Sequence, residues 1–136
     1  MKAISIRQPY AWAICAGHKD VENRIWATRY NGPVLIHAGA REIKDDIDGV
    51  MRLVAEGTGE TVEKIERDYR RDADFGAVVG VAHLVACVQR FDSPWFNGPY
   101  GFVLRDARRV GPVPFKGQLG FFDVPHAILN LLEIAR

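Results

Sequence analysis

The hydrophobic and polar positions of the chain follow two periods, one typical of strands and one typical of helices. Six short segments are either continuously apolar or alternate between apolar and polar residues, which favours β-strands. The longest of them, AVVGVAHLVACV, has almost no polar residue, so we expect both of its faces to be covered. The six predicted strands are residues 3–6, 21–26, 34–39, 77–88, 100–110 and 121–124.

Between the third and fourth strands the period changes to that of a helix. Apolar residues recur there at intervals of three and four positions and form one stripe: Ile43, Ile47, Val50, Met51 and Val54. Gly57 and Gly59 end this helix, and Thr58 or Thr61 can cap a second one. We therefore predict a helical excursion at about residues 41–71. A short helix after Gln8-Pro9 and a C-terminal helix over residues 126–135 complete the elements.

These elements predict an α+β protein. The expected architecture is a small mixed or antiparallel β-barrel of five or six strands, closed or nearly closed, with flanking helices. A layered fold with a parallel sheet is the alternative. The length of 136 residues is that of one domain, so residues 1–136 are taken as a single unit.

The composition is that of a soluble globular protein, with 48% hydrophobic and 26% charged residues. No apolar run approaches the roughly 18 to 20 residues of a membrane span, and the first ten residues lack the apolar core of a signal peptide. We expect a cytoplasmic protein with no membrane partner. Cys15 and Cys87 lie in apolar runs and are expected to be buried thiols. The oligomeric state stays open, with a monomer among the alternatives.

The net charge of +1 is unevenly distributed along the chain. Residues 41–74 hold 7 Lys/Arg and 11 Asp/Glu, whereas the remainder has a surplus of five positive charges. The charges of the acidic segment are expected on the solvated faces of its helices. An anionic ligand is expected to bind the rest of the chain.

Several familiar site motifs are absent from the sequence. It has no glycine-rich phosphate loop, no Cys-x-x-Cys pair and no histidine spacing typical of a metal site. Ser5 and Ser93 lie outside any nucleophile-elbow motif. We therefore expect neither a metal nor an organic cofactor.

The stretch GHKDVENR, residues 17–24, places several charges at the start of a strand. Alternation along that strand puts Glu22, Arg24 and Trp26 on one face, and Lys19 lies just before it. Two interpretations remain open. Glu22 and Arg24 form a surface ion pair worth about a few tenths of a kcal/mol, with Lys19 as a surface charge, or the face is one wall of a site.

Other polar residues lie on otherwise apolar strands. His37 and His83 are each in a predicted buried strand, where a histidine is usually a hydrogen-bonded core residue. Tyr100 follows the turn Asn97-Gly98-Pro99. Trp26 either packs against the core or stacks on a ligand, since the pattern does not separate these alternatives.

The stretch SIRQPYAWAICAGHKDVENRIW resembles the start of the ASCH (activating signal cointegrator homology) domains, which carry a G-x-K-x-x-E-x-R pattern after their first helix. In this chain the pattern is formed by Gly17, Lys19, Glu22 and Arg24. The S-x-R-Q-P-Y opening and the later GPYGFVL and VPFKGQLGFFDV are similar to one subgroup of that family. The resemblance covers nearly the whole chain. It implies a PUA-like β-barrel with a cleft beside the first helix, and a link to RNA or modified nucleosides.

The resemblance also implies a chemistry. Some small members of the family are similar to amidohydrolases that remove acyl groups from the exocyclic amine of cytidine. Their site uses the lysine of the motif, a threonine three residues on and a later glutamate. Lys19 matches the lysine, Glu22 stands at the threonine position, and Asp92 is the one acidic residue offered soon after the long strand. Other members are nucleic-acid-binding modules, and ribonuclease activity is attributed to one branch.

The leading hypothesis is a metal-independent amidohydrolase acting on N4-acylated cytidine or a related modified pyrimidine nucleoside. Lys19 and Glu22 would be catalytic, because a lysine that loses solvation can serve as base or nucleophile and a glutamate can orient or deprotonate water. Arg24 would steady an oxyanion or anchor Glu22. The alternatives are a non-catalytic RNA-binding module that uses the same cleft, or a ribonuclease.

The remaining candidates are substrate-binding residues. Trp26 and Tyr100 would sandwich a base, while Gln8 and His37 would read its hydrogen-bonding edge. We expect all of these side chains to converge on one pocket with Lys19, Glu22 and Arg24. The partner would then be a modified nucleoside or RNA.

Overall fold

The computed structural model describes residues 1–135, with side chains as far as Leu132. This range contains six strands and four α-helices, and the predicted α+β class is confirmed. The strands are β1 Lys2–Gln8, β2 Val21–Arg24, β3 Gly32–Glu42, β4 Ala77–Val88, β5 Tyr100–Pro114 and β6 Phe121–Asp123. The helices are α1 Tyr10–Cys15, α2 Ile47–Thr58, α3 Val62–Asp72 and α4 His126–Ala135, with a 3-10 turn at Lys44–Asp46.

The strands form one mixed sheet in the order β2-β5-β4-β3-β1-β6. Only the β1–β3 pair is parallel among the ladders of residues 1–135, and the other ladders are antiparallel. A layered parallel fold is therefore excluded. Three clusters of buried apolar side chains lie around the sheet. Helix α1 contributes to two of them: one also contains residues of β1, and the other also contains residues of α2.

The sheet is open, in contrast to a closed barrel. Its edge strands β2 and β6 share no backbone ladder within residues 1–135. Side chains bridge the gap instead: Arg24 Nη2 donates to the carbonyl oxygen of Ser5 at 2.9 Å, and the rings of Phe102 and Phe121 stack with centroids 5.9 Å apart. Strand β2 pairs with β5 and β6 pairs with β1, so among the described residues each edge strand has a backbone ladder on one side only.

Helix α1 is buried along most of its length, and it is the element that positions the site. Gln8 Oε1 accepts a hydrogen bond from the Trp12 amide at 2.7 Å, so the residue before the proline satisfies a donor of the first turn. At its other end Cys15 lies so close to β4 that a Cβ on Gly80 would be 2.2 Å from its sulfur. Burial raises the pKa of Cys15 to about 12, so it behaves as a small apolar residue.

The helical segment begins later than the periodicity predicts. Strand β3 continues through Glu42, because Glu42 pairs with Gln8 after an irregularity in the β1–β3 ladder. Ile43 is consequently outside the helix, and its amide donates to the Gln8 carbonyl at 2.8 Å. The second helix starts as expected, with Thr61 Oγ1 accepting from the Lys64 amide at 3.2 Å.

Strand β4 has the predicted bounds, but its two halves differ. Its first half is buried on both faces, whereas His83 is exposed and Val85 is 41% exposed. The interpretation of His83 as a core histidine is therefore wrong. Within residues 1–135, none of the helices has the length and apolar character needed to cross a membrane.

Candidate functional site

Three charged side chains of the GHKDVENR stretch form a continuous network. Lys19 Nζ donates to Glu22 Oε1 at 3.1 Å and to the Val21 carbonyl at 2.5 Å. The other carboxylate oxygen of Glu22 accepts from Arg24, with Nε at 3.1 Å and Nη2 at 2.9 Å. The side chains are 3%, 12% and 21% exposed, in the order Lys19, Glu22 and Arg24. This is a largely buried charge network and differs from a solvated surface ion pair.

The backbone explains why Lys19 turns inward. Gly17, at φ +85°, lets the chain leave α1 in a left-handed turn. The amides of His18 and Lys19 then both donate to the Ala13 carbonyl, at 2.9 and 3.0 Å. The lysine side chain is thereby directed over the ring of Tyr10, with Nζ 5.4 Å from the ring centroid.

Tyr10 connects the network to the helical segment. Its hydroxyl donates to Asp46 Oδ2 at 2.7 Å. Burial, this hydrogen bond and the charges of Asp46 and Glu22 raise the pKa of Tyr10 well above its usual range. The phenol therefore stays protonated and holds the start of α2 against α1.

Lys19 and Glu22 line a cleft of about 430 Å³ between β2, α2 and the segment that precedes β5. We call it the Lys19 cleft. Its wall includes two aromatic side chains and three carboxylates, which suits a small planar ligand with hydrogen-bonding groups. The residues that define it here are Tyr10, Lys19, Glu22, Asp46, Leu53 and Trp95.

Asn23, on the opposite side of β2 from Glu22 by alternation, secures the far wall of the Lys19 cleft. Its Nδ2 donates to the Trp95 carbonyl at 2.9 Å, and its Oδ1 accepts from the amides of Asn97 and Gly98 at 2.8 and 3.1 Å. The segment that carries Trp95 is thus held to β2 by three hydrogen bonds. Trp95 itself is 8% exposed.

Trp26 and Arg24 lie in an adjoining pocket of about 460 Å³ that shares Tyr10, Glu22 and Asn23 with the Lys19 cleft. Trp26 is half-buried, and its ring meets Phe102 and Phe121 edge-on at 5.1 and 5.5 Å between centroids. The tryptophan thus packs on the aromatic side chains that fill the gap between the sheet edges. Its remaining surface faces the adjoining pocket.

His37 lies in a third concavity, which is separate from the Lys19 cleft. Its Nε2 is 2.6 Å from the Phe115 carbonyl, so this nitrogen is the donor, and Nδ1 accepts from Ser5 Oγ at 2.9 Å. Only 2% of His37 is exposed. The concavity, which we call the His37 groove, has a volume of about 890 Å³ and is bounded by Arg7, Arg24, His37, Arg41, Phe115 and Lys116, among others.

Three other candidates do not line the Lys19 cleft. Gln8 is 1% exposed and both ends of its amide are bonded to backbone, Oε1 to Trp12 N and Nε2 to Asp74 O at 3.0 Å. Tyr100 begins β5 opposite Arg24 in the ladder, outside the pockets described above. Asp92 is exposed and also lies outside them. The expectation of one shared pocket is therefore wrong. The Lys19 cleft is not lined by Gln8, His37 or Tyr100, and the adjoining pocket holds Arg24 and Trp26.

The structure adds cleft residues that the sequence did not single out. Asp45 and Asp46, which the periodicity assigned to a solvated helix face, line the Lys19 cleft, as do Tyr10 and Trp95. The one available signal was Tyr10, which stands at the end of the S-x-R-Q-P-Y segment. Among the residues that the structure describes, no three His, Cys, Asp or Glu side chains group as ligands of a metal ion.

Solved structures share this architecture. An ASCH protein from Zymomonas mobilis, in a mutant form with one tyrosine replaced by phenylalanine, superposes with a TM-score of 0.57 at 17% identity, covering 99% of this chain and 98% of that one. Its unmutated form gives a TM-score of 0.56 at 18% identity, covering 98% and 93%. At these identities the likeness concerns the fold alone. No curated protein sequence matches the chain significantly.

A family comparison identifies the chain more directly. The ASCH domain matches residues 4–104, which contain most of β1, all of β2 to β4, the helical segment and the whole Lys19–Glu22–Arg24 network. The resemblance seen in the motifs is thereby confirmed, and this protein belongs to the ASCH domain family.

Proposed function

We propose that this protein is a hydrolase that cleaves the amide bond of an N4-acylated cytidine or a related modified pyrimidine nucleoside in the Lys19 cleft. One observation carries the proposal: Lys19, 4% exposed, and Glu22 form a buried ion pair on the wall of an open cleft. Burying two charges costs several kcal/mol of desolvation that the pair hardly recovers as stability. A buried ion pair on the wall of a concave pocket that also holds other polar groups supports a binding or active site there.

The contacts support a separate role for each of the two residues. Glu22 Oε2 is engaged by two nitrogens of Arg24, whereas Oε1 accepts from Lys19 alone and keeps a second lone pair that can receive the proton of a water molecule. Glu22 therefore serves as the general base. Lys19 donates in both of its contacts, so it is suited to stabilise an oxyanion rather than to attack as a nucleophile.

The reaction is a hydrolysis in two steps. Glu22 takes a proton from water as the water oxygen forms a bond with the acyl carbon, and the Lys19 ammonium stabilises the resulting oxyanion. The C–N bond then breaks as the exocyclic nitrogen receives the proton held by Glu22, which releases cytidine and a carboxylic acid. Arg24 keeps the Glu22 carboxylate oriented throughout.

The base would lie between the aromatic walls of the cleft. Tyr10 and Trp95 both line it and offer flat apolar surfaces for a pyrimidine ring. The carboxylates of Asp45 and Asp46 and the side chain of Asn97 also line the cleft. They supply hydrogen-bonding partners for a polar base, which a purely apolar pocket would lack.

The test is turnover of N4-acetylcytidine by the purified protein, read as release of cytidine by chromatography. Glu22→Gln keeps the size of the side chain and should lower the rate by about 100-fold or more, the scale of losing a positioned base. Lys19→Met should abolish turnover. Lys64→Met is the matched control, because Lys64 is also ion-paired, with Glu60 and Asp68, but its side chain is 45% exposed on α3.

Thermal melts establish that the Glu22→Gln variant is folded. Full activity in the folded variant would refute the proposed mechanism. Absence of turnover by the wild-type protein on a panel of acylated nucleosides would refute the hydrolase itself. The second candidate, a non-catalytic RNA-binding module, is favoured by the family, which is linked to RNA binding. In that case the same cleft would hold an unstacked base, and Lys19→Met would weaken binding without any turnover being lost.

A further inference from the structure

The two concavities on either side of Arg24 carry opposite charge. Three carboxylates and one lysine line the Lys19 cleft. The His37 groove is lined by four basic side chains, Arg7, Arg24, Arg41 and Lys116, and by no Asp or Glu among the described residues. Concave surfaces with charge of one sign concentrate ligands of the opposite sign. The groove is therefore built for an anion.

The basic row follows from the pairing of β1 with β3. Ser5 pairs with His37, and alternation then places Arg7 on the same face as Gly39 and Arg41. Gly39 lies beside the arginine, since a Cβ there would be in ordinary van der Waals contact with Arg7 Cγ at 3.7 Å. Residues on the opposite face, such as Ile6 and Ala38, belong to the core. One face of this strand pair thus anchors the core and the other presents charge.

The opposite wall of the groove is held in place before any ligand binds. The carbonyl of Phe115 accepts from His37 Nε2, and Lys116 is the next residue. Gly117 lies so close to the histidine that a Cβ would be 2.7 Å from Cε1 and 3.0 Å from Ser5 Oγ. A wall held in this way loses little conformational entropy on binding, which favours affinity.

The groove is continuous with the proposed site. The adjoining pocket shares Glu22 and Asn23 with the Lys19 cleft and Arg7 and Arg24 with the groove. At about 890 Å³, and with four separate cations, the groove is larger than one phosphate requires. Two highly accessible apolar side chains line this path, Ile25 at 85% and Leu119 at 99% exposure, and can contact sugar or base faces.

We infer that the His37 groove binds the phosphate backbone of a single-stranded RNA whose modified base enters the Lys19 cleft. The inference rests on the proposed function for the identity of that base. It adds that the natural substrate is a nucleotide within a strand and not a free nucleoside. Phosphates, spaced along the strand, meet the basic side chains, while the acidic cleft repels phosphate and admits the uncharged base.

The test is binding of a fluorescein-labelled hexacytidylate RNA, measured by fluorescence anisotropy between low and physiological salt. The combined variant Arg7→Ala, Arg41→Ala and Lys116→Ala should weaken binding by about tenfold or more. It should also reduce the slope of log affinity against log salt by about two, since each neutralised phosphate of a single strand contributes about 0.7. Cytidine 5′-monophosphate should compete at least about 100-fold more weakly than the unlabelled hexamer.

The matched control removes the same charge elsewhere. Arg67, Arg90 and Arg105 are exposed and line neither the cleft nor the groove, so their combined change to Ala should leave hexamer affinity within about twofold of wild type. Equal losses in both triple variants, or no loss in the groove variant, would overturn the inference. A monophosphate that competes as well as the hexamer would overturn it too.

The hexamer carries no acyl group, so its binding does not depend on turnover. Groove-dependent hexamer binding in a protein without hydrolase activity would support the groove and refute the proposed reaction. Turnover of N4-acetylcytidine in a protein that does not bind the hexamer would support the proposed reaction and refute the role of the groove.

Discussion

The Lys19 cleft and the His37 groove lie on either side of Arg24 and use their charges in different ways. In the cleft, Lys19 and Glu22 are buried and already engaged with each other. In the groove, Arg7, Arg41 and Lys116 are exposed. Buried, hydrogen-bonded charges are oriented for a reaction, whereas exposed charges attract a ligand over a distance. Under the proposed function, the cleft would carry the chemistry and the groove the recognition of the substrate.

The largest effect expected from this comparison is on stability. Lys19→Met should lower the free energy of unfolding by about 3 to 5 kcal/mol, because it leaves Glu22 partly uncompensated in a buried position. Lys64→Met should cost less than about 1 kcal/mol, since its ion pairs with Glu60 and Asp68 are exposed. Urea denaturation of the three proteins measures both values, and similar losses for the two variants would contradict the distinction.

A glycine in the groove should show the next largest effect. Gly117→Ala places a Cβ against His37, which cannot yield because both ring nitrogens are bonded, so we expect a loss of about 1 to 3 kcal/mol. Gly57→Ala, on α2 with nothing within 4 Å of the new Cβ, should instead stabilise the protein by about 0.5 to 1 kcal/mol. Thermal melts of both variants measure these changes in stability. A Gly117→Ala protein as stable as wild type would show that the groove wall is free to move.

Arg24 belongs to both regions, so its substitution tests whether they are coupled. Arg24→Lys keeps the charge but loses the fork that reaches Glu22 and the Ser5 carbonyl together, which should cost about 1 kcal/mol of stability. Turnover of N4-acetylcytidine and affinity for hexacytidylate should fall in the same variant. If only turnover or only affinity falls, Arg24 serves one region alone and does not couple the cleft to the groove.

The smallest effect concerns pH. Burial lowers the pKa of His18 from 6.5, with Lys64 acting in the same direction and Glu60 and Asp68 opposing it. The folded state therefore binds fewer protons than the unfolded state, so stability should fall as the pH drops below about 6.5 and through the lowered folded-state pKa. His18→Gln should flatten this dependence in urea titrations from about pH 5 to 8, and an unchanged dependence in that variant would contradict the prediction.

Local patterns determined much of the fold. The bounds of β4 and α4 agree with the apolar runs, and Thr61 caps α3, because burial period and capping are properties of neighbouring residues. The pairing of Lys19 with Glu22 is also local, since three positions and one turn separate them. Closure of the sheet was not determined in this way, because it depends on whether distant strands reach each other.

The composition of the two concavities was decided by tertiary structure. Asp46 reaches the Lys19 cleft because Tyr10, 36 positions away, holds it there. His37 is directed to the groove because the parallel β1–β3 ladder sets it beside Ser5, 32 positions away. The sequence by itself determined that the charged residues of GHKDVENR lie close together along the chain, and which segments are strands or helices. Only the pairing of distant strands decided which polar side chains share a cavity, since that pairing sets the face and the neighbours of each one.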